Sequence, residues 1–115
     1  MELKEFTPRK FKFKAWNKEE RLLMKLSSIE CVKGELSKKG HTLLQFTGML
    51  DKHDEEIYEM DILLRSDHKF LVRWHDENNG WNILPFPALN TFQPLISEMT
   101  KDMKRLCNYF ESEQA

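Results

Sequence analysis

The sequence predicts a mainly β domain: a small antiparallel barrel or curled sheet with a C-terminal α-helix. Three observations carry this. Residues 10–16, KFKFKAW, alternate strictly between lysine and apolar side chains. Asn79-Gly80 sits between two apolar segments, as a tight hairpin turn requires. After residue 94 the apolar period changes from two to three or four. At 115 residues the chain suits one hydrophobic core, so residues 1–90 are expected to form the β domain and 91–115 a helix packed on it or on a partner chain.

Taken in order, KFKFKAW reads as a half-buried strand with Phe11 and Phe13 facing one way, Lys10, Lys12 and Lys14 the other, and Trp16 buried near its end. From Asn17 to Arg21 a helical turn or turn-rich loop is expected. The following apolar positions, Leu22, Leu23, Met24 and Leu26, keep no clean period, and Gly34 and the stretch 37–40 punctuate as turns. HTLLQF reads as a strand ended by Thr47-Gly48, with DKHDEE as the polar connection into a second strand, IYEMDILL. KFLVRWH and WNILPF form the clearest hairpin, with Phe70, Val72 and Trp74 on one face. Ile96, Met99, Met103, Leu106 and Phe110 then recur at steps of three and four and predict an amphipathic helix over 94–110, with Asn90 or Thr91 near its start. Strands first and one helix last suit a sheet with a helix laid across it.

Charge and targeting signals narrow the function. Eighteen basic residues against 19 acidic leave a formal charge of −1, so any binding of polyanions must come from a local patch. The first ten residues hold no apolar core of a signal peptide, and no later stretch approaches the length of a membrane span. A cytoplasmic protein with no membrane partner is expected. Cys31 and Cys107 form no CxxC pair, which fits two free thiols in a reducing compartment.

No catalytic, cofactor-binding or metal-ligating set is legible. The acidic run Asp51, Asp54, Glu55, Glu56, Glu59 and Asp61 lacks the alternate spacing and central glycine of a calcium loop, and reads as a solvated bend. Asp61 differs, because an aspartate leading into a strand accepts backbone N–H bonds and shapes a turn. His41, His53, His68 and His75 show no zinc spacing. Cys107, between Met103 and Phe110, reads as core filler. No phosphate-binding glycine motif occurs among four glycines.

Aromatics and lysines carry the remaining ambiguity. Trp16, Trp74, Trp81, Phe11, Phe13, Phe46 and Tyr58 suit either a barrel core or a stacking platform for bases or a peptide. Trp16 and Phe13 are expected in the core, and Trp81, beside the hairpin tip, is the candidate for a surface site. Lys10, Lys12 and Lys14, with Arg9 and Lys18 close by, would either track a phosphate backbone or guard an exposed strand against edge pairing; the guard role is the expectation.

Three segments, FKFKAWNKEERLLM, LLQFTGMLDKHDEEIYEMDIL and FLVRWHDENNGW, resemble in order the pattern of the YopX family of small phage and prophage proteins. The matching residues are Phe13, Ala15 and Trp16; Gln45, Phe46, Thr47, Gly48, Asp51 and Lys52; and Ile57, Tyr58, Glu59, Asp61 and Ile62. The resemblance spans about residues 9–84. It implies a mainly β, SH3-like barrel and a phage context in a bacterial host, but no chemistry. Its structural motif would be Trp16, Gln45, Thr47, Gly48, Asp51, Tyr58, Glu59 and Asp61. Two departures stand out: the family's Asn-Gly in the acidic turn is His53-Asp54 here, and its Gly between Glu and Asp is Met60. If that glycine serves a positive φ, Met60 is strained there.

The function expected from the sequence is therefore a noncatalytic accessory β domain that binds a protein, a second copy of itself included, with Trp81, Lys10, Lys12 and Lys14 as candidate contacts and no cofactor. The alternative is a nucleic-acid-binding module using the Lys10, Lys12 and Lys14 face.

Overall fold

The computed structural model describes residues 5–112. The alternating segment forms β1 (Phe13–Asn17), which pairs antiparallel with β2 (Leu22–Lys25) on one side and with β5 (His41–Leu50) on the other. The β1–β2 turn is built by Asn17, whose Oδ1 accepts the N–H of Glu19 at 3.0 Å and of Glu20 at 2.9 Å. Between β2 and β5 lies a short ribbon of β3 (Glu30–Val32) and β4 (Glu35–Ser37), turning at Lys33 and Gly34 with φ of 51° and 83°. Every strand residue of this ribbon is exposed. The segment without a clean period is thus one strand, β2, and a two-stranded ribbon, neither of which needs a continuous apolar face.

β6 (Glu56–Tyr58) completes a first sheet of order β2-β1-β5-β6. A second sheet has the order β10-β9-β8-β7-β11, from β7 (Asp61–Arg65), β8 (His68–His75), β9 (Gly80–Phe86), β10 (Gln93–Pro94) and β11 (Lys104–Asn108). All ladders are antiparallel. The β8–β9 hairpin follows the sequence reading, running in register from Lys69↔Phe86 to His75↔Gly80 with Asn79 at φ 51°. Ile57, Leu63, Val72, Trp81, Ile83, Leu95 and Met103 form the buried cluster, with Met49, Phe70 and Met99 packed against it. The fold is mainly β, a curled antiparallel half-barrel with a short C-terminal helix, as the sequence predicts at this level.

Three local expectations change. The helix expected over 94–110 is instead a single turn, α1 (Ser97–Thr100), then strand β11, then a second turn, α2 (Tyr109–Ser112). Pairing of β11 along the edge of β7 gives its backbone long-range partners, and this tertiary pairing outweighs local helical periodicity. Of the five stripe residues Met103 alone is fully buried; Met99 and Phe110 are half-buried, while Ile96 and Leu106 are exposed. Thr47-Gly48 does not end its strand. β5 continues through it with a bulge, Gly48 supplying φ 86° and Thr47 Oγ1 donating to the Ile57 carbonyl at 2.8 Å. IYEMDILL is not one strand either, because it breaks at Met60, φ 70°. There the Met60 N–H donates to the Val72 carbonyl at 2.8 Å and the Met60 carbonyl accepts from the Tyr109 N–H at 2.7 Å. Both positions where the family pattern has glycine, Asp54 and Met60, lie in the left-handed region, with φ of 61° and 70°.

Candidate functional site

The acidic run divides into two buried ends and an exposed middle. Asp51 is buried, a correction to the solvated-bend expectation. Its Oδ1 accepts the N–H of His53 at 2.8 Å and of Glu55 at 3.0 Å, and its Oδ2 accepts the Arg105 N–H at 2.7 Å. Burial opposes the Asp51 charge, but these three backbone bonds win and hold the carboxyl below its ordinary value. Asp61 has no exposed surface. As expected, it takes a backbone N–H: its Oδ2 accepts from Tyr58 N at 2.8 Å and from Arg105 Nε at 2.9 Å, while Oδ1 accepts from Asn108 Nδ2 at 3.1 Å. Burial pushes the Asp61 carboxyl up, against the pull of Arg105 and of these donors. Lys52, His53, Asp54 and Glu55 between them are exposed. Asp51 and Asp61 are thus the pins that fasten β11 to the β5–β6–β7 segment. Among the described residues no group of three or more His, Cys, Asp or Glu could hold a metal ion.

The lysine face of β1 lies over aromatic rings instead of open solvent. Lys12 Nζ sits 5.5 Å from the Phe46 ring centroid and is ion-paired with Glu56. Lys14 is half-buried, its Nζ 4.5 Å above the Tyr58 ring. The period of two is correct, but it does not separate a covered face from an open one: Trp16, on the lysine side, is buried and stacks on Phe110 at 5.5 Å, Ala15, on the phenylalanine side, has no exposed surface, Phe13 is half-buried and Phe11 is 65% exposed. Long lysine stems cover apolar rings while their heads reach charge or water, which a binary apolar/polar reading misses. Lys10 is exposed and precedes β1.

A groove opens where the β1–β2 ladder ends at Lys14↔Lys25. The chains part there, leaving a cleft of about 420 Å³ with Phe11 and Phe13 on one bank, Leu26 and Ile29 on the other, and Tyr58 and Glu56 from β6 facing it. Lys12, Lys25, Ser27 and Ser28 supply its polar lining. The Tyr58 hydroxyl donates to Glu56 Oε1 at 3.1 Å, and burial first, this hydrogen bond second, push its pKa up to about 12. Glu56 is held low chiefly by its bond to Lys12. Within this lining Lys12 and Glu56 are paired with each other, while Lys25 has no carboxylate within ion-pair distance among the described residues.

The other expected residues are structural. Glu59 N–H donates to the Gln45 carbonyl at 2.9 Å, and burial pushes the Glu59 carboxyl up. Gln45 pairs with Phe13 across the β1–β5 ladder. Trp81 is a correction: its ring is in the core cluster, edge-on to Trp74 at 5.2 Å, and the exposed ring of this pair is Trp74. Sequence reasoning missed Arg105, Asn108 and Lys25. The first two were assigned to a helix and the third to an unpatterned stretch; a signal for Lys25 existed only in recognising LLMK as the strand returning alongside β1.

In comparison with known families, the family model described as YopX protein matches residues 13–112. No curated protein matches the chain.

Proposed function

From the premise that the chain belongs to the YopX family, we infer a noncatalytic accessory protein of the phage or prophage kind, whose role is to bind an extended segment of a protein partner. The observation that carries this reading is the groove of about 420 Å³ between Phe11–Phe13 and Leu26–Ile29. A strand pair that parts offers main chain to an incoming segment, and alternating apolar side chains on the two banks suit its side chains. Its rim carries charges of both signs, as polar rims of protein interfaces do. The nucleic-acid reading loses support at the same place: of the three lysines, Lys12 is ion-paired with Glu56 and Lys14 is half-buried over the Tyr58 ring, so the three do not form an open stripe for a phosphate backbone. Generic DNA or RNA is expected to bind no better than about 10 μM at physiological salt.

The test uses the purified chain as bait in nuclease-treated lysate from prophage-bearing cells, beside a Phe11→Asp, Ile29→Asp variant whose melting temperature confirms its fold. A protein retained by the parent chain and lost from the variant supports the reading. Retention equal in both, or retention only without nuclease, overturns it. Submicromolar oligonucleotide binding at physiological salt, abolished when Lys10, Lys12 and Lys14 are changed to Glu, would establish the nucleic-acid module instead.

A further inference from the structure

Next to the groove, and sharing Lys25, Glu56 and Tyr58 with its walls, is a recess of about 310 Å³ lined by Lys14, Lys25, Glu55, Glu56, Tyr58 and Arg105. Lys14 and Lys25 are direct partners in the β1–β2 ladder. Like charges at directly opposite positions of an antiparallel pair repel and destabilise it. Arg105 reaches the same recess from β11, so three cations converge on one open space.

The carboxylates nearby are already engaged. Glu56 holds Lys12 and the Tyr58 hydroxyl, and Asp61 holds Arg105 Nε. Glu111 lies 4.0 Å from the Arg105 guanidinium. Among the described residues neither Lys14 nor Lys25 has a carboxylate within ion-pair distance. Burial first, then the positive charges of Arg105 and Lys25, hold the Lys14 amine below the ordinary lysine range. Packing of the Lys14 stem over Tyr58 explains why a long side chain stands there. It does not explain why Lys25 and Arg105 line the same recess.

We propose that this recess receives a carboxylate side chain of the segment that occupies the adjoining groove, so that the partner's motif joins an apolar pair to one acidic residue. The inference rests on the reading of the groove as a polypeptide site. With Glu56 held by Lys12 and Arg105 by Asp61, Lys14 and Lys25 against Glu55 leave one positive charge in the lining, a match for a single carboxylate rather than a doubly charged phosphate. The continuity of the two cavities brings an acidic residue within reach of Lys14 and Lys25 without turning the segment away from the groove.

The experiment is selection of a random-peptide library on the full chain, followed by affinity measurement on the parent, on a Lys14→Gln, Lys25→Gln variant and on Phe11→Asp. Selected peptides are expected to share an Asp or Glu at a fixed offset from an apolar pair, to lose about tenfold or more in affinity on the lysine variant, and to fail on Phe11→Asp. Should the double variant melt early, Lys25→Gln alone, at an exposed position, carries the test. Peptides that need Phe11 but show no acid, or that ignore the lysine changes, overturn the recess assignment and leave the groove reading intact. Failure to select any peptide sensitive to Phe11→Asp removes the groove reading and this inference with it. Inorganic phosphate competing at concentrations no higher than the peptide's own would assign the recess to free phosphate and overturn the carboxylate.

Discussion

Removing the Arg105 guanidinium should expose how much of the fold hangs on one buried ion pair. In Arg105→Met the Asp61 carboxylate, with no exposed surface, loses the Nε donor at 2.9 Å and keeps only the Tyr58 N–H and the Asn108 amide. Stranding one member of a buried pair costs about 3–5 kcal/mol. Arg105 retains 17% of its side-chain exposure, so part of its interaction is screened and the lower end, about 3 kcal/mol, is expected at neutral pH. The stranded carboxylate has one escape, which is to take up a proton. Burial already raises the Asp61 pKa above its ordinary value, and loss of the cation raises it further. A folded-state pKa above the unfolded one means that the folded chain holds the proton more tightly, so the excess destabilisation of the variant shrinks as pH falls. Urea unfolding followed by tryptophan fluorescence, between about pH 5 and pH 8, measures this directly. Adding Asp61→Asn to Arg105→Met should cost less than the sum of the two single changes by about 1–3 kcal/mol. A cost below about 1 kcal/mol for Arg105→Met, with additive single changes, would show that Asp61 acts as a backbone cap alone and would refute the pairing argument.

Met60→Gly should raise stability by about 0.5–1 kcal/mol: the left-handed conformation costs an L residue about 1–2 kcal/mol, and glycine's extra freedom when unfolded returns part of that. An unchanged or lower urea midpoint would show that Met60 is not strained at its φ of 70°. Trp16→Ala should cost about 3–5 kcal/mol, because it empties a buried site and leaves Phe110 without its stacked partner; thermal unfolding checks it, and a cost under about 1 kcal/mol would place Trp16 outside the core. In a Tyr109→Phe background, alkaline absorbance titration should give Tyr58 a midpoint of about 12 in the folded chain, against 10.0 for an ordinary tyrosine. Its folded pKa is raised, so the stability tied to its neutral phenol is complete below pH 10.0 and is lost as pH rises through about 12. A midpoint at the ordinary value would mean that the groove floor is open to water.

What the sequence determined by itself is what local chemistry decides. Asn79 turns β8 into β9 because few residues accept its φ of 51°, and KFKFKAW is extended because its period is two. The QFTG and IYEMDI strings carry the family, and Asp61 reads as a backbone acceptor from its position before a strand, as its bond to Tyr58 N bears out. What only the tertiary structure decided is which partner each segment finds. The stretch 94–110 has an apolar spacing that a helix would satisfy, yet the free edge of β7 and the buried charge of Asp61 recruit Lys104–Asn108 as a strand, through contacts 44 and 47 residues distant in sequence. Lys12 and Lys14 lie over Phe46 and Tyr58 because a lysine is apolar for most of its length, so alternation fixed the two faces without fixing which one is covered. The groove and its recess exist only where β1 and β2 part and β6 and β11 come beside them; such sites are made by long-range packing, and no contiguous string of residues encodes them.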